Sequence, residues 1–236
     1  MIPKVIHQIY GIFNDKRKYT DFPDFIAGHN KTKEYCSKHG IQHKFWDLKM
    51  VNELLHENYP EYIELWEHFR MPIQRADFAR YIILHHEGGI YIDMDVHPMR
   101  DISELWEKEF FFVRWNNDDK PYNAILGSEK GLKLYEDIMI HCRESTYEKQ
   151  DMPIYEKWIG RLVFQTTGHF MLKRVLKQNK ITELLDILSV CNSQKHIYIC
   201  AENALFFDTN TSVWWDDKKV RCWNKDDITP PKSMEI

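Results

Sequence analysis

The sequence lacks the features that mark membrane-spanning, nucleic-acid-binding and disulfide-stabilised proteins. Its N-terminal apolar run, residues 2–10, is too short and too interrupted for a signal peptide or a membrane span. A net charge of −4 gives no basic field that would attract nucleic acid or an anionic membrane. The five cysteines are scattered, odd in number and without a C-x-x-C pair, which argues against a disulfide framework and against a zinc site.

These absences predict a soluble, cytoplasmic protein with no nucleic-acid partner and no transmembrane segment. The chain also has no internal repeat, no low-complexity tract and no Gly/Ser/Pro-rich linker, so a single domain is expected. We place this domain at residues 1–224. Residues 225–236, in which Asp, Pro and Lys are prominent, are expected to be a flexible tail.

The order of the predicted elements indicates an α/β protein. Strands are predicted at residues 4–9, 41–46, 90–92, 110–115, 122–126 and 196–200. Helices are predicted between them, at residues 21–39, 50–58, 61–69, 72–87, 131–142 and 170–188. Strands that alternate with helices favour a single layered sheet with helices on both faces.

An acidic pair follows the short apolar strand at residues 90–92. Asp93 and Asp95 stand at i and i+2, a spacing that puts two side chains on the same side of a strand. A divalent cation would relieve their repulsion, and oxygen ligands suit Mn²⁺ or Mg²⁺ bound to a substrate phosphate. A bare D-x-D also arises by chance, so a simple strand exit and an ion pair between Asp95 and Arg100 stay open as alternatives.

The preceding helix carries a second polar pair. Asp77 and Arg80 are three residues apart and therefore share one face of a helix that ends at the Gly88–Gly89 turn. An exposed pair of this kind contributes only a few tenths of a kcal/mol. The neighbouring residues 82–84 are apolar, however, which favours a face that projects toward the end of the next strand.

Several segments, taken in order, resemble the glycosyltransferases with the DXD sugar signature. They are residues 75–81 (Arg-Ala-Asp-Phe-Ala-Arg-Tyr), 88–96 (Gly-Gly-Ile-Tyr-Ile-Asp-Met-Asp-Val), 41–47 and the opening 2–10, which has Tyr10 where the family usually has Trp. That family includes yeast-type initiating α-1,6-mannosyltransferases, capsular and viral sugar transferases, and the catalytic domains of large clostridial glucosylating toxins. The resemblance implies a GT-A fold with a Rossmann-like mixed sheet, a nucleotide-sugar donor, Mn²⁺ or Mg²⁺, and retention of anomeric configuration.

The resemblance also implies roles for individual residues at the donor. Ile9 and Tyr10 would frame the base, and Tyr91 would line the pocket. Asp77 and Arg80 would hold ribose and sugar hydroxyls. The amide of Asn123 would face the sugar, although a turn residue before a strand is an equal interpretation of this position.

Metal binding is implied for the acidic pair and for a segment near the C-terminus. Asp95 would ligate the metal directly, whereas Asp93 would contact ribose and sugar and reach the metal through water. Asn210 or Ser212 would add a further ligand, and Trp214 would contact the diphosphate through its indole N–H. Two alternatives stay open here, since Asp208 could complete the coordination and the segment could be a polar turn before a buried Trp pair.

The resulting hypothesis is a metal-dependent enzyme that moves a hexosyl group from a nucleotide-sugar to a glycan, protein or other hydroxyl acceptor. A UDP-sugar is favoured over a GDP-sugar, because the Tyr10 ring beside apolar residues suits a pyrimidine. One alternative is a haloacid-dehalogenase-type phosphatase, since residues 93–96 also fit the pattern D-x-D-x-V. The other is a non-catalytic module that binds a nucleotide-sugar.

Overall fold

The fold was analysed in a computed structural model, which describes residues 1–12, 18–115, 119–149, 151, 159–192, 197–199 and 204–209. Within these residues, nine strands and seven α-helices follow one another. The strands are β1 (Val5–Ile9), β2 (Gln42–Trp46), β3 (Gly89–Ile92), β4 (Val96–Pro98), β5 (Phe110–Arg114), β6 (Pro121–Ser128), β7 (Leu188–Asn192), β8 (Ile197–Ile199) and β9 (Phe206–Asp208). The helices are α1 (Pro23–His39), α2 (Leu48–Asn58), α3 (Ile63–His68), α4 (Pro72–Glu87), α5 (Lys133–Glu148), α6 (Ile159–Thr166) and α7 (His169–Gln178).

The central sheet is mixed, with the strand order β2-β1-β3-β6-β5. β1 runs parallel to both β2 and β3, whereas β6 is antiparallel to β3 and to β5. Successive side chains of a strand point to opposite faces, so Ile6 and Ile90 enter one core while Ile9 and Tyr91 enter the other. The predicted α/β architecture with a mixed central sheet is therefore confirmed.

Helices cover both faces of this sheet. Apolar residues of α2 to α7 form the core on one face. On the other face α1 packs beside a second sheet, with the strand order β4-β9-β7-β8, which the sequence did not predict as a separate layer. This second sheet places Asp208 beside the turn that carries Asp93 and Asp95.

The predicted helix at residues 170–188 is wrong in its second half. α7 ends at Gln178, and Leu188 begins β7. Two backbone bonds close the helix, from Lys180 N to Lys177 O at 3.1 Å and from Ile181 N to Leu176 O at 2.8 Å. Lys180 takes a left-handed conformation with φ of 58°, so the helix ends without the glycine that usually marks such an end.

The turn between α4 and β3 needs its two glycines. Gly88 and Gly89 have φ values of 69° and 100°, a region that disfavours other residues. A Cβ on Gly89 would lie 2.7 Å from the Val5 carbonyl oxygen and 2.8 Å from His7 Nε2. Trp46 donates to Nδ1 of His7, so the opposite nitrogen donates to the Gly88 carbonyl at 2.8 Å. Burial lowers the pKa of His7 to about 4, which keeps this ring neutral.

Candidate active site

The predicted site residues meet where β1 and β3 end. Tyr10 follows β1, and Asp93 follows β3, at the carboxyl edge where open α/β sheets bind ligands. A polar cluster forms there from α4, β3, β6 and the turn after β3. Its members are bonded to one another.

Arg80 is the centre of this cluster. Its Nη2 lies 3.1 Å from Asp77 Oδ1 and 3.5 Å from Asp93 Oδ1. Its Nη1 donates to the carbonyl of Asn123, and its Cζ lies 4.8 Å from the centre of the Tyr91 ring. The structure thus brings together five residues that the sequence predicted for the site.

The carboxylate of Asp77 is fully engaged by protein groups. Besides the ion pair with Arg80, it accepts from Asn123 Nδ2 at 3.0 Å and from Thr167 Oγ1 at 2.9 Å. Burial raises the pKa of Asp77, while Arg80 and the two hydrogen bonds oppose that effect. In this state the side chain holds Arg80 and Asn123 in place.

Asp93 is the more accessible of the two carboxylates beside Arg80. One third of its side chain is exposed, and the Tyr91 hydroxyl donates to its Oδ1 at 2.5 Å. Burial alone would lower the pKa of Arg80, but Asp93, Tyr91 and Asp77 raise it above its ordinary value. The guanidinium therefore stays charged, and its ion pair with Asp93 orients the carboxylate of that residue.

Asp93 and Asp95 lie in a turn, and not along a strand as the sequence predicted. β3 ends at Ile92, and Val96 N donates back to Asp93 O at 3.1 Å. The two side chains therefore do not owe their position to strand alternation. The backbone carbonyl of Asp95 accepts from Thr209 N at 3.2 Å, which ties the turn to the end of β9.

Asp208 joins the acidic pair from the second sheet. β9 runs antiparallel to β4, so that Asp208 is opposite Val96. The Tyr122 hydroxyl donates to Asp208 Oδ2 at 2.5 Å. The pKa of Tyr122 is raised first by burial and then by the charges of Asp208, Asp95 and Asp93. Asp208 is thus the carboxylate in contact with the Tyr122 phenol, and the charges of Asp95 and Asp93 also act on it.

Comparison with known proteins identifies this arrangement. Residues 17–112 match a family model described as a glycosyltransferase sugar-binding region containing a DXD motif. That segment is similar to the sugar-binding region of the DXD glycosyltransferases. It includes α4, the Gly88–Gly89 turn and both aspartates of the motif, so the resemblance predicted from these segments is confirmed.

Curated relatives of this DXD region come from yeasts and a virus. The mannosyl phosphorylinositol ceramide synthase SUR1 of Saccharomyces cerevisiae is 36% identical over 223 residues, which are 93% of this chain and 54% of that protein. The uncharacterized glycosyltransferase L373 of Acanthamoeba polyphaga mimivirus is 33% identical over 144 residues, 58% of this chain and 54% of that protein. The chain therefore spans about half the length of these two relatives.

A likeness to a solved structure, the PaToxG glycosyltransferase, has a TM-score of 0.48 and 17% identity, and covers 75% of this chain and 70% of that one. Within the described part of the chain, no helix is both long and apolar enough to cross a bilayer.

The carboxylates at the DXD turn fit a cation that is bound partly by the protein and partly by the substrate. Among the described residues, no three His, Cys, Asp or Glu side chains form a group that could hold a metal. Mg²⁺ sites in nucleotide enzymes commonly use one or two carboxylates plus substrate phosphates. Asp95 and Asp208 could supply the carboxylates. Asn210, Ser212 and Trp214, also predicted for this site, lie outside the described residues.

The two residues predicted to frame the base differ in exposure. Ile9 is 8% exposed and belongs to the core under the sheet. Tyr10 is half-buried, and its ring meets those of Tyr19 and Phe25 edge to face, each at 6.0 Å.

Three residues near the site were missed in the sequence. Tyr122 and Thr167 carry no local signal, because they reach Asp208 and Asp77 only through the tertiary fold. Gly28 did carry one, since glycine inside a helix is unfavourable unless close packing requires it. A Cβ on Gly28 would overlap the carbonyl oxygen of Met94, so α1 touches the DXD turn through this glycine.

Proposed function

We propose that this chain is a metal-dependent, retaining glycosyltransferase that transfers a hexosyl group from a nucleotide-sugar to a hydroxyl acceptor. The observation that carries the proposal is the guanidinium of Arg80, which joins Asp77 of α4 to Asp93 of the DXD turn at the carboxyl ends of β1 and β3. Fixed donors and acceptors at this place suit the recognition of ribose and sugar hydroxyls.

Different residues of the site would contact different parts of the nucleotide-sugar. Arg80 and the exposed part of Asp93 would hold sugar and ribose hydroxyls, with Asp77 keeping the guanidinium in position. Tyr91 would line the pocket, and Tyr10 would stack on the base. Asn123 already donates one Nδ2 hydrogen to Asp77, so its amide would contact the sugar through the remaining N–H or through Oδ1.

The acidic part of the site would bind Mn²⁺ or Mg²⁺. Asp95 would be the direct ligand and Asp93 would act through water, with Asp208, or Asn210 and Ser212, completing the protein ligands. Once bound, such a cation acts as a Lewis acid that stabilises charge on the departing nucleoside diphosphate. Asp208 gains support from its place beside the DXD turn and beside Tyr122.

Retention fits the absence of an assignable base among the described site residues. Asp77 and Asp93 are both bonded to Arg80, and Asp208 accepts from Tyr122. Front-face attack needs no protein base, because the leaving phosphate can take the proton of the acceptor hydroxyl. We therefore favour that route.

The nucleotide base and the acceptor define the range of substrates. Tyr10 suits uracil, so UDP-sugars remain the favoured donors. The relatives include an inositol phosphoceramide mannosyltransferase of Schizosaccharomyces pombe, 27% identical over 48% of this chain and 34% of that protein. GDP-mannose and an inositol phosphoceramide acceptor therefore belong in any screen beside UDP-sugars and glycans.

The test is a donor screen. The protein is incubated with Mn²⁺ and each of UDP-glucose, UDP-galactose, UDP-N-acetylglucosamine and GDP-mannose, and the released nucleoside diphosphate is measured with and without acceptor. Asp95→Asn serves as the matched variant. We expect release from at least one donor that EDTA abolishes and that the variant lacks.

The same screen separates the rival functions. Binding of a donor without release, for every acceptor tried, would support a non-catalytic module instead. Release of phosphate from p-nitrophenyl phosphate, with no donor turned over, would support the phosphatase. Either result would overturn the proposed transfer.

A further inference from the structure

The side chain of Gln8 extends the contact between β1 and β3 at the point where their pairing ends. The last registered pair of these strands is His7 with Tyr91, and Gln8 is the next residue of β1. Its Nε2 donates to the backbone carbonyl of Asp93 at 3.3 Å. Gln8 has no exposed surface, so this amide is a buried link from the sheet to the first residue of the DXD turn.

Two histidines fix the orientation of that amide. Nδ1 of His29 and Nε2 of His43 lie 3.0 Å and 3.1 Å from Gln8 Oε1. A carbonyl oxygen can only accept, so both imidazoles donate to it. The amide nitrogen is turned toward Asp93, because the exchanged orientation would set Oε1 against the Asp93 carbonyl oxygen, and two acceptors cannot bond.

The two imidazoles are neutral donors. Burial and the charge of Lys33 lower the pKa of His29, and burial, His29 and Lys33 lower that of His43 to about 4. Each neutral ring has one N–H, and Gln8 Oε1 accepts a hydrogen bond from each ring. The network therefore stands in the same form through the neutral pH range.

α1 backs the DXD turn at two further points. Gly28 lies against the carbonyl of Met94, where a Cβ would not fit. One turn later Thr32 Oγ1 donates to the carbonyl of Val96 at 3.4 Å. His29, also on α1, is linked to Asp93 through Gln8. One face of α1 therefore contacts or supports the segment 93–96 at three points.

We propose that Gln8, oriented by His29 and His43, is a positioning residue that fixes the turn bearing Asp93 and Asp95 for metal and donor binding. The inference rests on the proposed function, in which these two aspartates bind the metal and the donor. Gln8 itself touches neither. It acts through the backbone of Asp93.

Two substitutions separate the halves of the network. Gln8→Glu keeps an acceptor for both imidazoles but cannot donate to Asp93 when ionised, and Gln8→Met removes both functions. Gln178→Met is the matched control, because Gln178 on α7 accepts from His141 at 2.9 Å in an exposed Gln–His pair of the same type. All proteins are compared well below their unfolding midpoints.

The first measurement is amide hydrogen exchange of the peptide that contains residues 93–96, with no substrate present. We expect faster exchange there in Gln8→Glu and Gln8→Met, and wild-type exchange in Gln178→Met. Unchanged exchange in both Gln8 variants would overturn the proposal. This readout does not depend on enzymatic activity, so it stands even if no donor is turned over.

The second measurement is the Mn²⁺ dependence of nucleoside diphosphate release. Partners that orient a metal ligand typically change metal affinity or activity by about 10- to 100-fold, and we expect the half-saturating Mn²⁺ concentration of both Gln8 variants to rise by that factor. A loss of folded protein would lower kcat alone. A wild-type protein that releases nothing would refute the proposed function, whereas an active one with equal Mn²⁺ dependence in the Gln8 variants would refute the positioning role.

Discussion

The two halves of the site differ in the contacts that hold their carboxylates. On the donor side, Asp77 and Arg80 are almost completely buried, and Asn123 and Thr167 complete the hydrogen bonds of the carboxylate. On the acidic side, Asp208 at the end of β9 accepts a hydrogen bond from Tyr122, and the backbone carbonyl of Asp95 in the DXD turn accepts one from Thr209. Asp93 lies between the two sides.

This difference assigns separate tasks to the two sides. The donor side is held by an ion pair and by hydrogen bonds within the protein, which would orient its groups for the hydroxyls of the proposed donor. Under the proposed function, the acidic side would hold the cation, whose charge would lower the repulsion between nearby carboxylates. Mutations should therefore act on stability at the donor side and on metal binding at the acidic side.

Removal of Arg80 should have the largest effect on stability. Arg80→Met leaves Asp77 buried without its charge partner, and we expect a loss of about 3–5 kcal/mol in the free energy of unfolding. Denaturant titration measures it. The double variant Asp77→Asn/Arg80→Met should recover much of this loss, and a double variant as unstable as the single one would contradict the donor side's dependence on its ion pair.

The stability of the sheet that carries both sides should depend on pH through His7 of β1. Its pKa is about 4 in the folded protein and 6.5 in the unfolded chain, so the unfolded chain binds the extra proton between these values. The stability that His7 contributes is complete above pH 6.5 and is lost as the pH falls toward 4, by at most about 3 kcal/mol.

His7→Gln should reduce this dependence by the share that His7 contributes, because an amide does not titrate in that range, whereas His43, with a pKa also lowered to about 4, still does. The exposed His56→Gln is the control and should leave the curve unchanged. The measurement is the unfolding free energy at several pH values from 4 to 7. An equal slope in wild type and His7→Gln would show that His7 does not carry the effect.

Loss of the Thr167 hydroxyl should have a smaller effect on the donor side. A hydrogen bond to a charged group contributes about 1.5–3 kcal/mol, so Thr167→Val should lower the unfolding free energy by that amount. Thr167→Ser keeps the hydroxyl and should retain most of the stability. If the Val and Ser variants are equally stable, the bond to Asp77 does not support the donor side.

The smallest stability change is expected on the acidic side. Asp208→Asn keeps an acceptor for Tyr122 and removes one repelling charge, so without metal the unfolding free energy should change by less than about 1 kcal/mol. The rise in melting temperature caused by Mn²⁺ should shrink in this variant. Asp186→Asn, which removes an exposed partner of Arg114, is the control. Full Mn²⁺ stabilisation of Asp208→Asn would exclude Asp208 as a ligand.

The local order of the elements was predictable because it depends on short-range patterns. Loose alternation of apolar residues predicted β1 and a short apolar run predicted β3, and Gly40, with φ of 64°, ends α1 where the sequence predicted it. The end of α7 was not predictable in this way. A lysine takes the left-handed position there, and only the packing of the following residues decides it.

The candidate site was predictable where its residues lie close together in the sequence. Asp77, Arg80 and Asp93 are joined by one helix, one turn and one strand, so their approach follows from local structure. Thr167 and Gln8 act across the fold, and nothing near them in the sequence indicates their partners. The strand geometry predicted for Asp95 was wrong because the chain turns directly after Ile92.

The central claim is that the acidic side binds a cation together with the donor diphosphate. Its most direct test is calorimetric titration of UDP and of GDP into the wild-type protein, with and without Mn²⁺, and into Asp95→Asn. We predict that Mn²⁺ tightens nucleotide binding to the wild type by at least about tenfold, or about 1.4 kcal/mol, and has no such effect on the variant. Equal affinity with and without Mn²⁺, or equal coupling in Asp95→Asn, would contradict it.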